Sequence, residues 1–300
     1  MSSPSRQIVL HCGAPKTGST SLQHYFRDQE DLLRASGIGY PHRFFSRRDV
    51  DPLHRAFVRS RRPADRAEGV EGARRRLEAL FRADGTRTLL VSNESLLGEP
   101  FVEGSRAFFP DAAFAAEGLQ RIFAGYGVQV RYVIRDFAGY VASYYVQYVR
   151  RGGVLGFPEF LRAYDLEALS WHRPVGLLRQ AFGSAEVRVY DHARLSGAPA
   201  AVVADMLQGL VGAPLPAFDP EAYRFNRSVG GLALEATRLA NRCLARLPSV
   251  SPYQKGVVTR TLVMKPIALV TPAAKPRLPA ELERRLSDRY AGECAALAAG

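Results

Sequence analysis

The chain has 300 residues, of which 47% are hydrophobic, and a formal net charge of +12. This apolar content is too high for a disordered chain, and the length suits one large domain, which we expect to span residues 1–300. The three cysteines lack metal-ligand or disulfide spacing, which indicates a reducing compartment. No apolar run reaches the ~18 residues of a membrane span. The sequence therefore predicts a cytoplasmic protein with no transmembrane segment.

Four short runs rich in β-branched residues predict strands at 8–12, 88–92, 128–134 and 186–190. Helix-like patterns lie between and after them, at 19–35, 68–83, 112–125, 140–151, 159–164, 169–182, 199–211, 232–247 and 278–299. Strands that alternate with helices favour parallel pairing in a sheet covered on both faces. The predicted fold class is α/β, a three-layer αβα fold of P-loop type with a central, mainly parallel sheet.

Two segments lack clear periodicity. Residues 39–65 are rich in arginine, proline and histidine, and we expect them to form a basic lid or loop. Residues 248–279 contain several prolines, which predicts an irregular segment.

A glycine loop follows the first predicted strand, with the sequence Gly-Ala-Pro-Lys-Thr-Gly-Ser-Thr-Ser-Leu at positions 13–22. A strand, a glycine loop and a helix start present backbone N–H groups to an anion. In nucleotide P-loops a lysine and a Ser or Thr follow the second glycine, and that hydroxyl holds Mg²⁺. Here Ser19 follows Gly18, and the lysine is Lys16, inside the loop. The pattern predicts a phosphate ligand held by lysine, hydroxyls and amides, without the usual metal position.

The loop and the third predicted strand together resemble the sulfotransferases that use 3′-phosphoadenosine-5′-phosphosulfate (PAPS). Residues 15–22 look like the 5′-phosphosulfate loop of that family. Arg135 ends a strand, and Ser143 follows eight positions later in the next helix, which resembles the 3′-phosphate site. The variation looks more like the bacterial and carbohydrate-type branches than the small-phenol branch.

The resemblance implies a transferase that moves the sulfuryl group from PAPS to an acceptor hydroxyl or amine, releases 3′,5′-ADP and needs no metal. It assigns cofactor-binding roles to Lys16, Thr17, Gly18, Ser19, Thr20, Ser21, Arg135, Ser143, Arg227 and Ser228. Lys16 would also be catalytic, because a fixed cation stabilises charge on the oxygen that leaves sulfur. The segment 224–231, which contains Arg227 and Ser228, can be interpreted either as a late loop over the nucleotide or as a helix N-cap.

Two residues are candidates for the general base that takes the acceptor proton. Glu94 directly follows a buried-looking strand, and glycan-modifying sulfotransferases have a catalytic glutamate at a comparable place. Alternatively, Glu94 is a carboxylate that caps the next helix. His54, in the basic lid, has an unperturbed pKa that suits the same work. The strand residue His11 is expected to be a packed core residue.

A P-loop kinase or NTPase acting on a small molecule is the alternative function, and binding of Mg-ATP would favour it. A basic nucleic-acid-binding protein is a third interpretation, but the charge is dispersed and no known motif is present, so we expect no nucleic-acid partner. The arginines of the lid suggest an anionic glycan or glycolipid as acceptor, and a small metabolite is a further possibility. The sequence does not indicate an oligomeric state.

Overall fold

The structure is a computed structural model. It describes residues 6–41, 63–82, 85–211, 215–219, 221–223, 229–245, 252–272 and 276–299. The strands are β1 Gln7–His11, β2 Ile38–Gly39, β3 Thr88–Ser92, β4 Gly127–Ile134 and β5 Val187–Asp191. The helices are α1 Ser19–Asp28, α2 Glu30–Ala35, α3 Pro63–Phe81, α4 Ala112–Ile122, α5 Phe137–Arg150, α6 Phe157–Ala163, α7 His172–Phe182, α8 His192–Gly197, α9 Pro199–Met206, α10 Gly231–Ala245, α11 Pro252–Thr259, α12 Lys265–Val270 and α13 Ala280–Ala299. A π-helical turn at Arg260–Met264 joins α11 to α12, and short 3₁₀ turns lie at Leu166–Ala168 and Ser184–Glu186.

The five strands form one sheet in the order β2-β3-β1-β4-β5. Every neighbouring pair is parallel, and helices flank the sheet. The predicted α/β fold with a central parallel sheet is confirmed. The four predicted strands correspond to β1, β3, β4 and β5, and their bounds differ from the predicted ones by at most one residue at each end.

Strand β2 was not predicted, because two residues are too short to show an alternating pattern. It pairs with the start of β3, where Ile38 lies opposite Thr88. It occupies the beginning of the segment 39–65 that we predicted to be a lid, and the end of that segment belongs to α3. Residues 42–62, including His54, lie outside the described residues, so the lid stays a prediction.

The proline-containing segment 248–279 differs from its predicted irregular form. Where the structure describes it, helices run from Pro252 to Val270. Proline is tolerated in the first helical turn, because the N–H that it lacks would have no helical partner there. Pro252 begins α11 in this way, whereas Pro266 directly follows the π-helical turn Arg260–Met264, where the α-helical hydrogen-bond ladder is already altered, so the helical backbone continues through it.

The two faces of the sheet are covered by separate apolar clusters. Successive side chains of a strand point to opposite faces, so Ile8 and Leu10 pack in the cluster under α4 and α5, while Val9 packs with Leu22 and Phe26 of α1. Along the described parts of the chain, no helix is both long and apolar enough to cross a membrane.

His11 is the last residue of β1 and lies in the core, as the sequence predicted. Its Nδ1 shares a 2.7 Å hydrogen bond with the Ser92 hydroxyl at the end of β3. Its ring also packs edge-on against Phe26. Burial lowers the pKa of His11 from 6.5 to about 4, because the charged imidazolium loses its hydration there.

Acid should therefore destabilise the fold through His11. The unfolded chain takes up this proton first, so the stability contributed by neutral His11 is present above pH 6.5 and lost as the pH falls towards about 4. Between about pH 7.5 and about pH 5 the loss should be about 2 kcal/mol. Urea unfolding of His11→Gln at both pH values should show a loss smaller by that amount. The exposed His172→Gln variant is the control and should lose as much stability between the two pH values as the wild type. Equal losses in all three proteins would show that His11 is not the group responsible.

Candidate functional site

The candidate site lies at the carboxyl edge of the sheet. After β1 the chain builds one side of the sheet, with β3 and β2, and then crosses back to β4 and β5 on the other side. Such a reversal leaves a crevice beyond the strand ends where ligands of α/β sheets bind. The glycine loop leaves this edge after His11, Glu94 follows β3, and Arg135 follows β4.

The glycine loop is held against β4 by main-chain hydrogen bonds. The N–H of Cys12 donates to the Arg131 carbonyl at 3.2 Å, and the N–H of Ala14 donates to the Val133 carbonyl at 3.1 Å. A Cβ at Gly13 would lie 2.9 Å from the Val133 Cβ, which is closer than side-chain carbons approach. Glycine is needed at position 13 because the loop runs this close to the strand.

Two residues of the loop have left-handed backbone angles. Gly18 has a φ of 88°, and Lys16, although it carries a side chain, has a φ of 73°. This conformation costs a non-glycine residue about 1–2 kcal/mol. The Thr17 hydroxyl helps to hold it by donating to the Ala14 carbonyl at 2.6 Å. Left-handed residues in such turns create concave arrangements of N–H groups that bind anions.

Helix α1 begins directly after the loop with its first N–H groups uncapped by any described side chain. Its first turn contains no acidic residue. The Ser19 side chain at this turn is buried, and its hydroxyl has no hydrogen-bond partner among the described residues. The positive end of the helix dipole and an unpartnered hydroxyl therefore face the same loop.

The hydroxyl of Ser21, predicted to bind the cofactor, is engaged elsewhere: it donates to the Tyr223 carbonyl at 2.7 Å. Tyr25 of the same helix donates to the Pro216 carbonyl, also at 2.7 Å. These contacts fix residues 215–219 and 221–223 against α1. Arg227 and Ser228, which follow, lie outside the described residues.

Arg135 joins the two predicted phosphate-binding motifs. Its Nη1 donates to the Lys16 carbonyl at 2.9 Å, so the arginine side chain lies against the glycine loop. Its own carbonyl accepts a 2.9 Å hydrogen bond from the indole N–H of Trp171. The side chain is only 12% exposed, and Nε lies 3.8 Å from Asp136 Oδ2 in an ion pair but makes no hydrogen bond to a described residue. Burial lowers the pKa of the guanidinium, but arginine keeps its charge in proteins.

Helix α5 starts at Phe137, three residues earlier than predicted, because Asp136 caps it. The Asp136 carboxylate accepts the Gly139 N–H at 2.6 Å. Phe137 stacks on Trp171 with ring centroids 5.6 Å apart. Ser143 is buried in the second turn of the same helix.

Glu94, the candidate base, lies at the end of β3 and is half-buried. Gln23 of α1 donates from Nε2 to Glu94 Oε2 at 2.8 Å. The preceding residue continues the sheet, since the Asn93 N–H donates to the His11 carbonyl at 2.9 Å. The structure thus attaches Glu94 to the helix that begins at the glycine loop.

A second polar cluster near this edge was not predicted. Glu99 accepts a 2.8 Å hydrogen bond from the Tyr144 hydroxyl and pairs with Arg151 at 2.7 Å. Burial and the Glu99 charge raise the pKa of Tyr144. Tyr144 and Arg151 are seven residues apart and so share one side of α5. This spacing is common in helices, and the sequence gives no sign that Tyr144 and Arg151 contact Glu99.

Comparisons with known proteins gave similarity to solved structures only. No family model matches the chain, and no curated protein matches it. A crystal structure of a sulfotransferase from Alicyclobacillus acidocaldarius is 20% identical with a TM-score of 0.46, over 82% of this chain and 95% of that one. The sulfotransferase domain from the curacin biosynthetic pathway is 13% identical with a TM-score of 0.36, over 96% of this chain and 98% of that one. These similarities are distant, and we therefore infer function from the residues of this chain.

If Arg135 and Ser143 form the predicted 3′-phosphate site, Gly139→Ala should weaken binding of 3′,5′-ADP. A Cβ there would lie 2.7 Å from Asp136 Oδ2 and 3.3 Å from Arg135 Nη2, so the capping carboxylate must move, at a cost of about 1 kcal/mol. Calorimetric titration and urea unfolding would measure both effects. Gly176→Ala in α7 is the matched control, because its Cβ would meet no atom within 4 Å. Unchanged 3′,5′-ADP affinity in Gly139→Ala would contradict the role given to this turn.

Proposed function

We propose that the protein is a sulfotransferase that transfers the sulfuryl group of PAPS to an acceptor hydroxyl or amine. The observation that carries this proposal is the hydrogen bond from Arg135 to the Lys16 carbonyl. It places an arginine with the spacing of a 3′-phosphate site against a loop with the sequence of a 5′-phosphosulfate site. The acceptor would be a glycan, a glycolipid or a small metabolite.

The unpartnered donors at this edge fit an anionic ligand. Buried polar groups in proteins nearly always have a hydrogen-bond partner. Here the buried Ser19 hydroxyl has none among the described residues, and Arg135 Nε has only a 3.8 Å ion pair with Asp136. A hydroxyl at a helix start and a guanidinium beside the same loop are groups that bind phosphate oxygens. The Thr17 hydroxyl is already used within the loop, so we assign Thr17 a role in loop shape and in amide donation.

Lys16 would stabilise the transition state. When bound, PAPS supplies the sulfuryl group on a phosphate leaving group. The Lys16 ammonium would lie where negative charge grows on the leaving oxygen, and a fixed cation there lowers the barrier. The loop backbone is held from two directions, by Thr17 and by Arg135. This rigidity positions the cation before the reaction begins.

Glu94 would take the proton of the acceptor hydroxyl. Gln23 occupies Oε2 of this carboxylate, which orients the group and leaves Oε1 to receive the proton. A general base must lie within hydrogen-bond reach of the acceptor hydroxyl, and the contact with Gln23 would hold the carboxylate in one position for it. His54 remains the alternative base.

Lys16→Ala should reduce sulfuryl transfer by at least about a hundredfold, because it removes the cation from the leaving oxygen. The measurement is the rate of 3′,5′-ADP release from PAPS with an acceptor panel of glycans and small alcohols. Arg75→Ala, a change on the exposed side of α3, is the control for loss of positive charge. A Lys16→Ala enzyme with wild-type turnover would refute this role of the loop lysine.

Glu94→Gln should lower turnover by about a hundred- to ten-thousandfold and leave 3′,5′-ADP affinity unchanged. Glu103→Gln, an exposed loop position, is the matched control. If Glu94→Gln is fully active and His54→Ala is not, the base is His54.

Calorimetry of 3′,5′-ADP and of ATP, each with and without Mg²⁺, tests the donor directly. We expect binding of 3′,5′-ADP that does not depend on metal, with ATP much weaker. Preference for Mg-ATP would instead support the P-loop kinase or NTPase.

A further inference from the structure

One stretch near the C-terminal end carries basic residues without any acidic residue to balance them. Between Glu235 and Glu281 the sequence contains no acidic residue. The same stretch holds eight of the 41 basic residues: Arg238, Arg242, Arg246, Lys255, Arg260, Lys265, Lys275 and Arg277. Most of the net charge of +12 therefore comes from this one stretch.

Large apolar side chains project from the same stretch into solvent. Leu262, Leu269 and Val270 are 70%, 86% and 83% exposed, and Val258 is exposed as well. Val258, Leu262, Lys265 and Leu269 are all exposed, which places them on the solvent side of the helical segment Pro252–Val270 and its π-helical turn. Lys265, also exposed, thus lies between two exposed leucines. We call Val258, Leu262, Lys265, Leu269 and Val270 the leucine–lysine surface.

The opposite side of this helical segment is firmly packed. A Cβ at Gly256 would lie 2.6 Å from the Arg151 carbonyl carbon, so α11 touches the backbone at the end of α5. The Thr259 hydroxyl donates to Asn241 Oδ1 at 2.6 Å, and Asn241 Nδ2 donates to the Val149 carbonyl at 2.8 Å. Met264 is buried. The inner side of α11 and of the π-helical turn is therefore fixed, and α12, which carries Leu269 and Val270, is held against the core through the partly buried Ile267 and Ala268.

We propose that the leucine–lysine surface binds the surface of a membrane that contains anionic lipids. Exposed leucines and valines on a helix enter the boundary between headgroups and acyl chains, and neighbouring cations pair with anionic headgroups. This occupant matches both features of the surface, its apolar side chains and its lack of acidic residues. The segment would lie on the bilayer, since Lys255, Arg260 and Lys265 interrupt it.

Two other occupants match only half of the surface. Nucleic acids or anionic glycans would pair with the cations but would make no apolar contact with Leu269 and Val270. A second copy of the chain joined through a two-fold axis would place the same patch, with its cations, against itself. Both occupants are outcomes of the test.

The surface is joined to the candidate active site by α5. That helix begins beside Arg135 and ends against α11, and its 14 residues span about 20 Å. The membrane proposal does not rest on the proposed transferase activity, because it uses none of the phosphate-binding residues.

Flotation of the full chain with vesicles tests the proposal. We expect binding to vesicles of phosphatidylcholine mixed with phosphatidylglycerol, little binding to phosphatidylcholine alone, and weakening by salt. Leu269→Ser combined with Val270→Ser should reduce partitioning by about tenfold or more. Lys265→Gln should reduce it by about fivefold. The controls are Leu32→Ser on α2, a partly exposed leucine on another helix, and Arg75→Gln on α3.

Three results would overturn the proposal: equal binding to neutral and anionic vesicles, partitioning that the surface variants leave unchanged, or a dimer that the Leu269→Ser and Val270→Ser changes dissociate. Binding to RNA or heparin but not to vesicles would point to a polyanion instead. All surface variants should bind 3′,5′-ADP as the wild type does. Failure of the transferase proposal would instead appear as absent 3′,5′-ADP binding in the wild type itself.

Discussion

The contact between the glycine loop and β4 is the constraint on which the site depends. Strand β4 extends three residues beyond the end of β1 in their register, and the loop follows it by pairing with Arg131 and Val133. Because the loop lies along β4, the residue that ends this strand, Arg135, meets the Lys16 carbonyl. Two motifs more than a hundred residues apart in sequence thus become one site. A parallel sheet makes this meeting possible, since it brings the carboxyl ends of β1 and β4 to one edge.

Much of this arrangement could be predicted from the sequence, because its signals are local. The strands appear as short β-branched runs, and the loop appears as two glycines around Lys16. What could not be predicted depends on contacts between distant residues: Gln23 with Glu94, and Glu99 with Arg151. Strand β2 was too short to leave a pattern, and the prolines of 252–270 were interpreted as breaks although they lie where helices accept them. His54, Arg227 and Ser228 stay predictions.

Without a ligand, the candidate site lowers the stability of the fold. The buried Ser19 hydroxyl and Arg135 Nε make no hydrogen bond to a described residue, although Nε pairs with Asp136 at 3.8 Å, and Lys16 adopts a left-handed backbone that few side chains adopt. Unsatisfied buried donors and backbone strain reduce the free energy of unfolding. A ligand that supplies the missing acceptors would stabilise the folded state by mass action. The protein without such a ligand is less stable for this reason, and the donors would already be in place to bind it.

Trp171 is the only tryptophan of the chain, and it is completely buried. Its indole N–H donates to the main-chain carbonyl of Arg135, and its ring is stacked on Phe137 at the start of α5. The tryptophan fluorescence of the protein therefore comes from one position, next to the backbone of Arg135 at the candidate site. A movement of the main chain at Arg135 should therefore change the tryptophan fluorescence of the unlabelled protein.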